Sequence, residues 1–146
     1  MRIRLDVRRS LDLHAIERGQ VFHTYRCYAR LRFREVPGWS DEYFAIVDTG
    51  APFSVIPVSI WRSVMFTDLG STQLRGIIPK SSASLPARRA AVSAVLADEQ
   101  GVSPSLDLGA LLVNEMDVPL ILGWSGCLDR SKLTLDGLHQ QAWLEF

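Results

Sequence analysis

FAIVDTGAPFSVIP, residues 44–57, decides how the rest of the chain is read. An apolar run, Phe44 to Val47, stops on an acid at Asp48, passes through Thr49 and Gly50, and turns apolar again from Ala51. A continuous apolar segment of this kind reads as a strand buried on both faces. An ionised carboxylate at its end is costly in apolar surroundings unless something pairs with it. Asp48 is therefore either a surface turn residue or an acid whose position has a use. Gly50 permits backbone geometry that other residues resist and lets another chain approach closely. Thr49 can bond backbone groups through its hydroxyl and fix the loop. Ala51 adds little bulk. The stretch describes a carboxylate held in a tight loop with small neighbours.

On either side of this loop the chain reads as mostly β, with one or two short helices. RIRLDV alternates Ile3, Leu5 and Val7 with Arg2, Arg4 and Asp6, the period of a strand. Residues 21–34 read as a second strand region, in which Arg30, Arg32 and Arg34 alternate with Ala29, Leu31 and Phe33. Pro37 to Glu42 is turn chemistry. Tyr43–Val47 and Phe53–Ile56 are strands, and Pro57 suits the first position of a short helix, VSIWRSV. Gln73–Ile78 is a strand candidate interrupted by Gly76. ARRAAVSAVLA reads as a helix on its Ala content or as the return strand of a hairpin on the short Pro/Ser tip before it; the hairpin is preferred. LGALLVN, VPLILG, LTLD and QAWLEF are further strands. SGCLDRSK reads as a short helix capped by Ser125.

Composition bounds the function. At 146 residues, with 47% hydrophobic and 22% charged residues, the chain is expected to form a single globular domain over 1–146. No apolar run is long enough to span a bilayer. MRIRLDVRRSLDLH lacks the apolar core of a signal peptide, so a cytoplasmic protein with no membrane partner is expected. Cys27 and Cys127 lie far apart, and two buried thiols are expected rather than a disulfide. Residues 1–34 carry nine Arg against three acids, in a chain of zero net charge. The alternation of these arginines with apolar residues favours a solvated strand face over a nucleic-acid surface, so no nucleic-acid partner is expected. His14, His23 and His139 lack metal-ligand spacing, and no metal or cofactor is expected. Cys127 has no His near it in sequence, and Ser54 is not in a G-x-S-x-G elbow.

Asp-Thr-Gly alone recurs by chance. Here it follows an apolar strand and precedes Ala51 and Ser54-Val55-Ile56-Pro57, and Pro119-Leu120-Ile121-Leu122-Gly123 comes about seventy residues later. This combination resembles the retropepsin-like aspartic peptidases, over about residues 40–137. The resemblance implies a closed acid-protease β-barrel with Asp48 catalytic. Thr49, Gly50 and Ala51 would form the active-site loop, with Thr49 bracing it across a dimer and Gly50 meeting the substrate backbone. Ile121, Leu122 and Gly123 would form the supporting strand. It also implies a flap hairpin between the two motifs, spanning Leu74 to Arg89, with Gly76, Ile77, Ile78 and Pro79 as flap candidates.

Such enzymes need two carboxylates that share one proton. No second Asp-Thr-Gly or Asp-Ser-Gly is present: Asp136-Gly137 lacks the middle hydroxyl, and Asp68 precedes Leu69-Gly70. The implied enzyme is a homodimer that pairs Asp48 with Asp48 and cleaves a peptide or protein substrate. The chain departs from the family at Pro52, where retroviral members carry an acid, at Trp124, where an Arg is common, and in its flap, which is poor in glycine. The alternative is therefore a catalytically inactive peptide-binding or regulatory module of the same fold.

Overall fold

The computed structural model describes residues 1–75 and 84–146. Eleven strands are present among them, all joined in one sheet: β1 (Arg2–Leu11), β2 (His23–Glu35), β3 (Gly38–Trp39), β4 (Tyr43–Val47), β5 (Ser54–Pro57), β6 (Phe66–Arg75), β7 (Ser84–Ala97), β8 (Leu106–Val113), β9 (Ile121–Leu122), β10 (Lys132–Asp136) and β11 (Gln141–Glu145). Two short helices, α1 (Leu13–Glu17) and α2 (Val58–Trp61), and a 3-10 turn over Leu128–Arg130 complete the described elements. The mostly β reading with one or two short helices holds. No helix among the described residues is long and apolar enough to cross a membrane.

The pairings run β10–β11–β1–β2–β4–β9–β5–β8–β7–β6, and β7 also pairs with β2. That last ladder, Arg30↔Ala97 to Phe33↔Ala94, returns the path β2–β4–β9–β5–β8–β7 to its start. The alternation in the first two strands is what places them. Ile3 and Leu5 of β1 and Ala29, Leu31 and Phe33 of β2 are buried together, with Val92, Leu96, Leu108, Leu122 and Leu144, in the main core. The intervening arginines of β2 face outward, as a period of two requires.

Strands β5, β8 and β9 are apolar on both faces because each face has a separate apolar partner. Ile56, Leu112 and Leu122 enter the main core. Val55, Leu111 and Val113 enter a second cluster with Ala87 and Val118, against which Phe53, Leu74 and Ile121 pack. Phe53, Val55, Leu74, Leu111 and Ile121 of this cluster line a cleft together with Asp48.

Several expectations are corrected. Tyr43–Val47 is a strand, but only Ala45 is buried; Phe44 is exposed on the outer face and lies under the guanidinium of Arg8, 4.5 Å from its ring centre. An apolar run can thus be half-covered by a cation from a neighbouring strand. Pro57 closes β5 and caps α2 instead of opening it. Of VPLILG only Ile121–Leu122 is strand. Ser125 does not cap the turn at Leu128–Arg130; Cys127 stands in the cap position, and Asp129 accepts the Gly126 N–H at 3.0 Å. The strand expected from Gln73 begins at Phe66, and helix α1, capped by Asp12 through the amides of His14 and Ala15, was not expected. ARRAAVSAVLA is strand, within β7, and β6 and β7 pair as far as Arg75↔Ser84. The flap candidates Gly76, Ile77, Ile78 and Pro79 lie outside the described residues.

Candidate active site

Asp48 stands one residue beyond β4. Strand β4 runs parallel to β9, with Ile46 opposite Ile121 and Val47 opposite Leu122. Two amides of the first segment bond carbonyls of the second: Ile46 to Leu120 at 2.9 Å and Asp48 to Leu122 at 3.0 Å. Three backbone bonds then tie the loop itself. Ala51 N–H donates to the carbonyl of Asp48 at 3.2 Å, Trp124 N–H to that of Ala51 at 2.9 Å, and Ser125 N–H to that of Pro52 at 3.0 Å. The indole N–H of Trp124 reaches the Thr49 carbonyl at 2.6 Å. The hydroxyl of Ser54, buried at the start of β5, accepts the Gly123 N–H at 3.1 Å. The two sequence motifs are therefore one hydrogen-bonded unit.

The carboxylate is half-buried and turns back on its own loop: Gly50 N–H donates to Asp48 Oδ1 at 2.8 Å. Gly50 is not in the left-handed region. Its use is spatial, since a Cβ there would stand 3.2 Å from Asp48 Oδ1. Gly123 is under tighter constraint: a Cβ there would come within 2.6 Å of the carbonyl oxygens of both Ala51 and Phe53. Thr49 is exposed, and among the described residues its hydroxyl makes no hydrogen bond. The loop is fixed by its carbonyl, not by the hydroxyl that sequence reasoning chose. Of the predicted site residues, the structure brings together Asp48, Thr49, Gly50, Ala51, Ile121, Leu122 and Gly123.

A cleft of about 430 Å³ opens beside the carboxylate. Its walls come from Asp48, from Gly50 to Phe53, from Val55, from Thr72 to Leu74 of β6, and from Arg89, Leu111 and Ile121. Asp48 is the single acid and Arg89 the single cation among these lining residues. A larger cavity of about 680 Å³ lies against β1 and β11. Its arginines, Arg2, Arg4, Arg8 and Arg30, face Asp6, Asp98 and Glu99, so its charge is largely compensated, and it lies away from the loop.

Sequence reasoning missed Ser54, the Trp124 indole N–H and Arg89. A polar residue opening the apolar run SVIP was a signal for Ser54; nothing local marks the other two. The cysteines are both free, with Cys127 buried and Cys27 half-buried. Burial, and secondarily Asp129, pushes the Cys127 thiol up to about 12; burial also raises Cys27. Neither is primed as a nucleophile. His14, His23 and His139 contact Glu17, Arg9 and Asp136 in separate places.

Comparison with known protein families finds no matching family model, and comparison with curated proteins finds no match.

Proposed function

We propose that the chain is a retropepsin-like aspartic endopeptidase, an acid-protease β-barrel that works as a homodimer. The observation that carries this reading is the hydrogen-bonded unit of Asp48-Thr49-Gly50 with Leu122-Gly123-Trp124, which holds one carboxylate at the edge of an apolar cleft. The return of the β2–β4–β9–β5–β8–β7 pairings to their start supports the barrel.

The chemistry follows from pairing two copies of Asp48. Carboxylates about 3 Å apart cannot both ionise, so the pair holds one proton. The ionised member takes a proton from water as its oxygen attacks the peptide carbonyl carbon, and the protonated member gives its proton to the carbonyl oxygen. Collapse of the tetrahedral intermediate breaks the C–N bond, and a proton passes to the leaving nitrogen. Strands β6 and β7 extend from the cleft wall toward the segment expected to be the flap, which would exclude water from the reacting bond.

A second reading, a peptide-binding or regulatory module without turnover, draws on the single carboxylate in the lining of one protomer's cleft. Cleavage of a mixed peptide library from about pH 4 to 7, with Asp48→Ala run beside the parent, separates the two. Cleavage by the parent alone is expected. Equal cleavage by Asp48→Ala overturns the peptidase reading. Binding without cleavage by the folded parent dimer favours the module.

A further inference from the structure

We infer that the cleft beside Asp48 contains a carboxylate-selecting subsite, in which Arg89 recognises an acidic group on an extended peptide. The inference rests on reading that cleft as a substrate site.

Arg89 sits in β7 between Gly70 of β6 and Leu111 of β8. Neither cross-strand neighbour offers it an acid. Its sequence neighbour Arg88 projects to the opposite face of the strand and is paired with Asp68. Arg89 forms no ion pair among the described residues, and its guanidinium lies 4.9 Å from the ring centre of Phe53. The two adjacent arginines therefore have different circumstances: one is paired with a neighbouring acid, and the other lies near an aromatic ring without an ion pair among the described residues, in a cleft whose lining holds one acid, Asp48.

That arrangement suits recognition. A guanidinium lying near an aromatic ring is oriented by the ring's electrons and retains N–H donors for a ligand. Those donors match the two oxygens of a carboxylate, and a planar fork binds them as a pair. The surrounding wall, Phe53, Val55, Leu74, Leu111 and Ile121, is apolar. The same wall takes an apolar side chain. The favoured peptide thus places an apolar residue in the cleft and a carboxylate, from Asp, Glu or the chain terminus, against Arg89.

The test uses N-acetylated, C-amidated decapeptides with an apolar central pair and one Glu, Gln or Lys moved through the flanking positions. A neutral peptide with a free C-terminal carboxylate completes the panel. With the parent, the Glu peptide at one position is expected to exceed its Gln counterpart in kcat/KM by about fivefold, the scale of an exposed charged pair. The preference is expected to fall to about one in Arg89→Met and to shift toward Lys in Arg89→Glu. A preference confined to the free-acid peptide assigns the carboxylate to the substrate's C-terminus. Equal handling of Glu and Gln everywhere, in acid and amide forms, overturns the inference, as does an unchanged preference in Arg89→Met. Arg89 is exposed, so loss of fold is not expected, and thermal melting checks it. Fluorescence anisotropy on the same peptides, with a fluorophore in place of the N-acetyl group, separates this inference from the peptidase reading. A Glu preference in binding without cleavage supports the Arg89 subsite and counts against the peptidase. Absence of binding by every peptide overturns both.

Discussion

The buried hydroxyl of Ser54 accepts the backbone N–H of Gly123 at 3.1 Å, across 69 positions of sequence. This one bond joins the strand after the Asp48 loop to the turn that follows β9. Gly123 is itself buried, so its amide has no water to turn to if the hydroxyl is removed.

Ser54→Ala is therefore expected to destabilise the protein by about 1–3 kcal/mol, the cost of leaving a buried donor unsatisfied. The measurement is a urea titration. The midpoint is expected to fall with the slope unchanged, since the surface exposed on unfolding stays the same. An unchanged midpoint would show that Gly123 finds another acceptor.

Gly123→Ala tests the same junction from the other side. A methyl group at 2.6 Å from the Ala51 and Phe53 carbonyl oxygens meets backbone, which cannot rotate away as a side chain can. The β5 and β9 segments must separate. A loss of about 3 kcal/mol or more is expected, on the scale of overpacking in a tight interior. Any cleavage activity should disappear with it, because the same carbonyls belong to the loop that carries Asp48. Parent-like thermal melting of this variant would contradict the tight approach.

Much of this architecture is legible in the sequence where the period is clean. Ile3 and Leu5, and then Ala29, Leu31 and Phe33, alternate with arginines and are buried as the pattern requires. Strand β6 was half-missed for a physical reason: Asp68 and Gly70 flank a register shift, so alternation breaks where the pattern is sought. Helix α1 has five residues, of which only Ala15 is buried, too short to show a face. The apolar run at Tyr43–Val47 could not reveal that Arg8 would cover Phe44. At the site, the two motifs that meet around Asp48 were readable because each is compact in sequence. The Arg89–Phe53 contact was not, because it depends on the register of strands β5, β7 and β8, which no local pattern specifies.

Alkaline pH should weaken the fold through Cys127. Its thiol is raised from the ordinary 9.0 to about 12 by burial and, secondarily, by Asp129. A raised acid holds its proton longer in the folded state than in the unfolded one. Below pH 9.0 both states keep the proton and this group adds no pH dependence. Above it only the unfolded chain releases the proton, so stability falls as pH rises, by about 1.4 kcal/mol per pH unit, until the folded thiol ionises in turn. Cys27 and Tyr43, both raised chiefly by desolvation, act in the same direction. The Cys127 share is isolated by comparing Cys127→Ala with the parent in urea at pH 8, 9 and 10, using about 1.4 kcal/mol per unit as the reference slope. The variant is expected to lose stability less steeply above pH 9. Parallel curves would rule out Cys127 as the titrating group.

Trp124 offers a way to separate holding the loop from holding the fold. Its indole N–H donates to the Thr49 carbonyl at 2.6 Å, yet the side chain is 45% exposed. Trp124→Phe keeps an aromatic ring while deleting the donor and the bulk of the second ring. Thr49 is exposed, so water can replace the lost partner, and the change in stability is expected to stay within about 1 kcal/mol. The loop, however, loses the side-chain tether beside Asp48. If Asp48 is catalytic, a small displacement of its carboxylate affects the transition state more than the bound substrate. The expected result is a fall in kcat of about tenfold with KM nearly unchanged, equal to about 1.4 kcal/mol of transition-state stabilisation. A rise in KM alone would make Trp124 part of the substrate-binding wall. Parent kinetics would mean that the backbone bonds from Trp124 to Ala51 and from Ser125 to Pro52 suffice to hold the loop.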